Sequence, residues 1–364
     1  MDYFGRIGAL RRKLTRAGLH GLVITHPPDI RYLCGFTGSS AALGVTRRRA
    51  RLFTDGRYTS QAAEEVKDAA QVQIVSGLPA VATVQWLAAQ PGVEMAGFDA
   101  ARTTVAELTR WKQELPAHLR RSFLVATPAP LVEGLRTVKD DDELAVIEEA
   151  ALTGCKLFDH LLGVLRPGIA EIEVAAELEH QARLHGAEGM SFETIVASGA
   201  RSAMPHGVAG LTPLPRRGFV TLDFGIILKG YCSDMTRTVF LGKPKGTERN
   251  AYRAVLEAQE AAVSTVAAGV SCGEVDEAAR SILRRDGFGE AFSHSTGHGV
   301  GLEIHEPPRV GVGQKTRLEA GMVITIEPGI YLHGEFGVRI EDMVAVTREG
   351  FKVLTPAPKA LIEL

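Results

Sequence analysis

Residues 221–238 have the sequence TLDFGIILKGYCSDMTRT, and this stretch decides the fold of the second half of the chain. Apolar residues precede it at 219–220 and follow it at 239–241, and Gly230 lies between its two apolar runs. A turn residue between two apolar runs predicts two antiparallel strands joined by a tight connection. The sequence therefore predicts a β-hairpin here.

Two carboxylates, Asp223 and Asp234, lie on the two arms of this predicted hairpin. With a two-residue turn, positions whose numbers sum to an odd value face each other, so these side chains lie side by side or nearly so. Like charges across a ladder repel each other. A protein keeps such a pair when a cation lies between the carboxylates or when they share a proton. The alternative is a slipped register with both side chains in solvent.

Length and composition are those of an ordinary globular protein. A chain of 364 residues favours roughly two domains. The net charge is −2 and the basic cluster at residues 47–51 has no interleaved aromatic side chains, so we expect no nucleic-acid partner. We find no signal peptide and no apolar run long enough to span a bilayer, which predicts no membrane partner. The four cysteines lack CxxC spacing, as expected for reduced thiols in a cytoplasmic protein.

Two domains are predicted, with the boundary at residue 130. In residues 1–130, strand patterns alternate with helical patterns, which is typical of an α/β domain. Residues 131–364 begin with a long helical pattern and then mix helices with antiparallel strands, which predicts an α+β domain. The main strand signals of this second domain lie at 192–197, 219–224, 231–240, 322–327 and 338–346.

Three histidines lie close together in HSTGHGVGLEIHE, residues 294–306. Gly297 and Gly299 flank His298, so that the backbone can approach a bound group closely there. A single histidine is more often a core residue with satisfied hydrogen bonds. Three of them in a glycine-rich stretch favour a functional site instead.

Two later stretches place carboxylates on apolar strands. In MVITIEPG, residues 322–329, Glu327 ends the apolar run and a Pro-Gly pair follows it. In GVRIEDM, residues 337–343, Arg339 and Glu341 share one face of the strand by alternation. A salt bridge between Arg339 and Glu341 is the structural alternative to a functional role.

The candidate ligands of a metal centre are four carboxylates and one imidazole, namely Asp223, Asp234, His298, Glu327 and Glu341. Four carboxylates balance the charge of two divalent cations, and a hydroxide between two such ions is a nucleophile at neutral pH. An oxygen-rich set with one imidazole and no thiolate favours manganese, cobalt, iron or magnesium over a structural zinc site.

Taken together, these motifs resemble the metallopeptidases of the pita-bread fold, the family of methionine aminopeptidase, prolidase and aminopeptidase P. The resemblance spans roughly residues 140–364, and all five ligand positions hold the expected residue type. Residues 1–130 resemble the creatinase-type N-terminal domain of prolidases and aminopeptidases P. Their FTGSS and FTDGRY segments are closer to the aminopeptidase P branch. The resemblance thus implies a creatinase-like α/β domain at 1–130 and an α+β pita-bread catalytic domain at 131–364.

The resemblance also implies a role for each ligand. Asp234 and Glu341 would bridge two metal ions, Asp223 would chelate, and His298 would bind one ion only. Glu327 would ligate and also carry the proton from the bridging water to the leaving nitrogen. Manganese is the implied metal, with cobalt, iron or zinc as alternatives.

Four further residues receive roles from the same resemblance. His206, in MPHG, matches a histidine that steadies the substrate, and it would be catalytic together with His305 and Glu327. His294 and His305 match histidines that line the pocket and polarise the scissile carbonyl. Arg339 matches an arginine close to the ligands, so substrate binding is assigned to His206, His294, His305 and Arg339.

The implied activity is hydrolysis of an N-terminal Xaa-Pro bond by a metal-bridging hydroxide, as in Xaa-Pro aminopeptidase, with Xaa-Pro dipeptidase as the nearest alternative. The bond before proline is a tertiary amide without an N–H group, and the leaving prolyl nitrogen needs a general acid. A metal-free creatinase-like amidinohydrolase and a non-catalytic peptide-binding module are further alternatives, although this chain keeps every ligand. The expected partners are peptides with proline in the second position, within a homodimer or homotetramer.

Overall fold

The structure is a computed structural model that describes residues 1–66 and 68–364. The chain divides into two compact units, Met1–Arg136 and Thr137–Leu364. Within the described residues, no helix is both long enough and apolar enough to cross a membrane.

A six-stranded mixed sheet forms the centre of the first unit. Its strands are β1 (Gly21–Ile24), β2 (Ala41–Thr46), β3 (Ala50–Thr54), β4 (Gln71–Ile74), β5 (Ala96–Phe98) and β6 (Leu124–Ala126), in the spatial order β4-β3-β2-β1-β5-β6. The strand β1 is antiparallel to β2 and parallel to β5. The helices of this unit are α1 (Tyr3–Arg16), α2 (Pro27–Cys34), α3 (Thr59–Glu65), α4 (Pro79–Ala88), α5 (Val105–Gln113) and α6 (Glu133–Arg136).

The second unit contains four long helices. They are α7 (Asp141–Leu162), α8 (Glu171–Leu184), α9 (Gly246–Thr265) and α10 (Cys272–Arg285). Local signals explain where α7 and α10 begin, because the side chain of Asp140 accepts a hydrogen bond from the backbone of Glu143 and that of Ser271 does the same for Glu274. In both cases the glutamate bonds back to the capping residue, so the free N–H groups of the first turn are satisfied.

Short antiparallel strands make up the rest of the second unit. They are β7 (Gly189–Met190), β8 (Ile195–Ser198), β9 (Gly218–Phe224), β10 (Ile226–Leu228), β11 (Tyr231–Cys232), β12 (Met235–Leu241), β13 (Gly297–Gly299), β14 (Glu306–Val310), β15 (Val323–Ile326), β16 (Gly329–Leu332), β17 (Phe336–Arg339), β18 (Asp342–Val346) and β19 (Phe351–Val353).

The second unit is built from two halves with the same plan, a helix pair followed by three antiparallel strands. In the first half α7 and α8 precede the sheet β12-β9-β8, and in the second half α9 and α10 precede the sheet that contains β13-β15-β18. Each half has its own apolar core. The first includes Phe158, Leu178, Leu222 and Val239, and the second includes Val255, Val275, Ile324 and Val344. The sequence itself shows no repeat, because the two halves share a packing plan but differ in their residues.

Two strands of the prediction are each divided in the structure. The predicted strand 231–240 consists of β11 and β12, and the predicted strand 338–346 consists of β17 and β18. Both divisions fall beside a carboxylate, at Asp234 in the first case and at Glu341 in the second. The strand β17 pairs with β16 while β18 pairs with β15, so the chain changes partner at Glu341. Alternation of side chains cannot reveal such a change of partner.

Candidate metal centre and substrate pocket

The two halves of the second unit supply equivalent positions to one site. Asp223 lies near the end of β9 and Asp234 just before β12. In the second half, Glu327 directly follows β15 and Glu341 directly precedes β18. His298 occupies the middle of β13. All five side chains line one cavity of about 1020 Å³, so the structure brings together every residue of the predicted ligand set.

In the hairpin that carries Asp223 and Asp234, the two aspartates do not lie directly opposite each other. Leu228 pairs with Tyr231 across a two-residue turn, and Asp223 therefore pairs with Thr236. Asp234 is offset by two residues along the ladder and lies on the same side, since side chains alternate with a period of two. The strand is interrupted at Gly225, where an added Cβ atom would lie 1.7 Å from the carbonyl oxygen of Ser233.

His298 is the centre of the ligand cluster. Its Nε2 atom lies 3.6 Å from Oδ2 of Asp234 and 3.5 Å from Oε1 of Glu327. Ligand atoms of Asp234, His298 and Glu341 all lie within 4.8 Å of one another, close enough to contact one cation. On the far side of the ring, Nδ1 lies 3.0 Å from the carbonyl oxygen of Gly299 and donates to it, which assigns the lone pair to Nε2. Burial lowers the pKa of His298 to about 4, which keeps this lone pair free.

Two carboxylate oxygens in the site are buried without a hydrogen-bond partner among the described residues, Oδ1 of Asp223 and Oδ1 of Asp234. A buried charged oxygen without a partner costs several kcal/mol, and native proteins rarely keep one. A divalent cation satisfies such oxygens directly. The donor set therefore suits a cation site better than it suits a structural ion-pair network.

The pKa values of the carboxyl groups show how closely the negative charges are packed. Burial and the neighbouring Glu341 raise the pKa of Asp234 well above its usual range. Burial and Glu327 do the same for Glu341. Burial raises the pKa of Glu327 to about 8. Shifts in this direction are expected where several carboxyl groups crowd into one buried site.

Arg339 pairs with Asp223 rather than with Glu341. The Arg339 guanidinium donates to Oδ2 of Asp223, and its Nε donates to the hydroxyl of Thr236 at 3.1 Å. That hydroxyl in turn donates to Oε2 of Glu341 at 2.7 Å. Arg339 also donates to the hydroxyl of Tyr331 at 2.7 Å, so it connects the carboxylates of the two halves instead of forming a surface pair along one strand.

The three predicted pocket histidines all line the same cavity. The ring of His305 lies against that of His298, with 4.4 Å between centroids. His294 contacts the Tyr331 hydroxyl through Nε2 at 2.9 Å and the Ser295 carbonyl through Nδ1 at 2.8 Å. Burial lowers the pKa of His294 to about 4, so its imidazole is neutral at pH 7. His206 is exposed on its loop.

Some lining residues were not singled out from the sequence. They are Phe192, Ile195, Val208, Ile304, Pro307 and Arg309, together with Tyr331 next to the lining. A sequence signal was available for some of them, because Ile304 lies inside the histidine-rich stretch, Pro307 and Arg309 follow it, and Tyr331 comes shortly after Pro328-Gly329. Phe192 offered no signal, since an aromatic residue before a strand is ordinary core material.

This fold and this arrangement of carboxylates and histidines define a metallopeptidase. The sequence profile of Metallopeptidase family M24 matches residues 145–348, and that of the Creatinase/Prolidase N-terminal domain matches residues 6–138. The chain belongs to metallopeptidase family M24. The predicted resemblance and the predicted fold class, an α/β creatinase-like domain before an α+β pita-bread domain, are confirmed.

Several relatives are similar over the whole chain. The Uncharacterized peptidase YqhT of Bacillus subtilis is 39% identical over 99% of this chain and 100% of its own. The structure of the Xaa-Pro dipeptidase from Bacillus anthracis superposes with a TM-score of 0.94 at 41% identity, covering 100% of both chains. The X-Pro aminopeptidase from Thermotoga maritima gives a TM-score of 0.88 at 34% identity, covering 97% of this chain and 100% of its own.

Proposed function

We propose that this chain hydrolyses the peptide bond before proline in short peptides, using two divalent cations. One observation carries the proposal: four carboxylates and His298 converge from both halves of the second unit on one cavity, where two buried carboxylate oxygens have no partner among the described residues. The dipeptidase and aminopeptidase names of the similar structures support a proline-directed substrate.

The side chains that would hold the cations are Asp223, Asp234, His298, Glu327 and Glu341. Two bound divalent cations supply a nucleophile at neutral pH and stabilise developing negative charge on the substrate oxygen. Manganese suits a set of mainly oxygen ligands with one imidazole, and cobalt, iron or zinc are the alternatives. The family resemblance implies Asp234 and Glu341 as the bridging ligands, and their ligand atoms lie within 4.8 Å of each other and of His298.

The remaining chemistry is assigned to residues of this chain. A carboxyl group beside the reacting atoms can accept and return a proton, and Glu327 lines the cavity with its Oε1 3.5 Å from Nε2 of His298. We assign to Glu327 the protonation of the leaving prolyl nitrogen. His206 and His305 would position the substrate and hydrogen-bond its scissile carbonyl, while His294 and Arg339 would complete the substrate pocket.

Dipeptides and longer peptides are both candidate substrates. Arg309 favours the dipeptide, because it lines the cavity with its Nε bonded at 2.7 Å to the Ser295 hydroxyl and with no carboxylate partner among the described residues. A guanidinium can pair with the carboxylate of a substrate's C-terminal proline. The name of the Thermotoga relative favours longer peptides.

The deciding experiment measures turnover of an Xaa-Pro dipeptide, an Xaa-Pro-Yaa tripeptide and an Xaa-Ala dipeptide by the manganese-loaded protein. We expect hydrolysis of the proline peptides only, and its loss on chelation. Arg309→Met should raise KM for the dipeptide more than for the tripeptide. Equal turnover of the Xaa-Ala dipeptide would contradict proline specificity, and an inert protein with two bound metals would indicate a peptide-binding module. Metal-independent turnover of creatine would indicate an amidinohydrolase.

The first unit has a proposed role in substrate length and assembly. We assign the chain to a homodimer or homotetramer in the cytoplasm, where its four cysteines would stay reduced. In FTDGRY, Asp55 pairs with Arg57 through both carboxylate oxygens at the end of β3. Deletion of residues 1–130 should keep metal binding, since all ligands lie in the second unit, but should change oligomer size and discrimination between dipeptide and tripeptide. Unchanged size and selectivity would refute this role.

A further inference from the structure

Each of two pocket histidines lies on a loop that an ion pair holds from outside the cavity. Glu171 and Arg201 hold the loop that carries His206, and Asp276 and Arg280 hold the loop that carries His294. We call these two pairs the outer clamps. None of the four residues lines the cavity of the candidate site, so direct contact with substrate does not explain them.

The first clamp belongs to the first half of the second unit. Glu171, the first residue of α8, is fully buried, and its Oε1 accepts from the backbone N–H and the hydroxyl of Ser198, both at 2.8 Å. Its Oε2 accepts from the Arg201 guanidinium. The same guanidinium donates to the carbonyl oxygen of Val208 at 2.9 Å. Both ends of the segment from Ser198 to Val208, which contains His206, are thereby fastened to one carboxylate.

The second clamp belongs to the second half. Asp276 of α10 is buried, with its Oδ2 bonded to Nε of Arg280 at 2.7 Å. Arg280 donates to the carbonyl oxygen of Phe292 at 3.2 Å and to that of His294. Asp276 also accepts from the hydroxyl of Thr296 at 2.7 Å. The segment that carries His294 is therefore held at its start, at the histidine and at its end.

The chemistry of these contacts suits positioning better than general stability. A buried ion pair contributes little net stability, because the cost of removing its charges from water offsets their attraction. What a guanidinium adds is direction, since its planar fork can hold a carboxylate and main-chain carbonyl oxygens together. The first clamp holds the segment that follows β8, and the second holds the segment that precedes β13. Each half of the second unit thus has one ion pair holding one histidine-bearing segment, although the two pairs are not at equivalent positions in the halves.

We propose that the outer clamps are positioning devices for the substrate-binding histidines, Glu171–Arg201 for His206 and Asp276–Arg280 for His294. The inference rests on the proposed function for its kinetic consequence. A displacement of about 1 Å at a reacting group can lower turnover by about 10²-fold, so loosening a clamp should lower kcat even though no substrate contact is removed.

The test combines clamp and histidine substitutions in the full-length, manganese-loaded protein, with whichever Xaa-Pro peptide the wild type hydrolyses. Arg201→Gln and Arg280→Gln should each lower kcat by roughly tenfold with two metals still bound. Arg201→Gln should have less than about a twofold effect in the His206→Ala background and keep its full effect in the His294→Ala background, because coupled residues are not additive. Arg280→Gln should have less than about a twofold effect in the His294→Ala background and keep its full effect in the His206→Ala background. Arg280 is the better choice here than Asp276, because the Thr296 held by Asp276 also contacts the backbone of Glu327.

A matched control and a second measurement keep the test decisive. Arg285→Gln removes a surface ion pair from the same helix α10, with Glu257 and Asp286, and should leave kcat unchanged. If the glutamine variants do not fold, Arg201→Lys and Arg280→Lys retain the charge without the fork and should lose activity in the same pattern. Hydrogen exchange of the metal-free protein should quicken in residues 199–210 for Arg201 variants and in 292–296 for Arg280 variants.

Two results would overturn the inference. One is an equal loss of turnover in both histidine backgrounds, which indicates a general structural effect. The other is an active wild type with both clamp variants unchanged in turnover and in exchange. An inert wild type with two bound metals would refute the proposed function instead, and the exchange measurement would still decide whether the clamps hold the loops.

Discussion

Single atoms define the candidate metal centre most sharply. Asp223, Asp234 and His298 line one cavity, and one oxygen of each aspartate has no hydrogen-bond partner in the part of the chain that the structure describes. The hydroxyl of Thr236 and the guanidinium of Arg339 satisfy the opposite sides of Glu341 and Asp223. Glu341, Asp223 and His298 are thus each held on one side by a hydrogen bond, which is the arrangement expected when neighbouring groups orient metal ligands.

Replacing a proposed bridging carboxylate should remove the metals. Asp234→Ala or Glu341→Ala should leave fewer than two metal ions per chain by elemental analysis and lower activity by about 10³-fold or more, because metal stabilisation of transition-state charge is worth several kcal/mol. The metal-free variants should melt at the same temperature as the metal-free wild type or higher, since one of several repelling charges is gone. Glu257→Ala, on the exposed face of α9, is the control. A variant with two metals and a normal rate would contradict the assignment.

Replacing a proposed substrate histidine should spare the metals. His206→Ala and His305→Ala should keep two metal ions per chain and lower kcat by about 10²-fold, the usual effect of removing a group that stabilises developing charge. The measurement is elemental analysis beside steady-state kinetics on one sample. Loss of metal from either variant would mean that the histidine is a ligand rather than a substrate contact.

At the scale of elements, the interrupted hairpin sets the geometry of the site. The strands β9 and β12 form a regular ladder that ends at Phe224. At the next residues the pairing is irregular, and the backbone N–H of Ile226 donates to the side-chain hydroxyl of Ser233. Glycine at position 225 permits this close approach, because a side chain there would meet the carbonyl oxygen of Ser233. The close approach of the two backbone segments beside Asp234 therefore depends on a glycine that carries no chemistry itself, whereas the offset of the two aspartates follows from the two-residue turn.

Gly225→Ala should disturb both stability and metal binding. The new methyl group would force the two backbone segments apart, and overpacking of this kind costs about 1–3 kcal/mol in the free energy of unfolding. We expect a lower denaturation midpoint and weaker metal affinity by titration calorimetry. Gly246→Ala, where an added Cβ has no atom within 4 Å, is the matched control and should change stability by no more than about 0.5 kcal/mol. Normal metal affinity in Gly225→Ala would show that metal binding does not depend on the close backbone approach at Gly225.

At the scale of the whole molecule, the crowded carboxyl groups should link stability to pH and to metal. Burial raises the pKa of Glu327 to about 8, against about 4.3 in an unfolded chain. Between these values the folded state binds more protons than the unfolded state, so the free energy of unfolding falls as pH rises. This contribution is fully present below about pH 4.3 and is lost as pH rises through about 8.

The histidines restrict the useful pH range. Burial lowers the pKa of His294 and of His298 to about 4, so their contribution to stability rises with pH up to their unfolded value of about 6.5 and is constant above it. Between pH 7 and 8.5, the melting temperature of the metal-free protein should therefore fall. That of the metal-loaded protein should stay level or rise, because the cations replace the protons. Parallel curves with and without metal would contradict the carboxylate-rich site.

Much of the fold could be predicted because its signals are local. The apolar period of Phe4, Ile7, Leu10 and Leu14 predicts a helix at residues 3–17, and the structure has α1 at Tyr3–Arg16, with the last three buried and Phe4 exposed. The turn at Gly230 predicts the hairpin, and Leu228 and Tyr231 pair across it. Helical spacing and strand alternation depend on neighbours within a few residues, so a single sequence reveals them.

The sequence by itself determined the family and the order of its two domains, and it predicted the proposed ligand set, because each motif is contiguous and its chemistry can be recognised without coordinates. Only the tertiary structure decided that Arg339 pairs with Asp223, that the aspartates are offset, that Tyr331 bonds to His294, and that the outer clamps bond to the segments carrying His206 and His294. Arg339 and Asp223, for example, are 116 positions apart in the chain. Pairing over such a distance depends on how two half-units pack, and no local pattern in the chain encodes it.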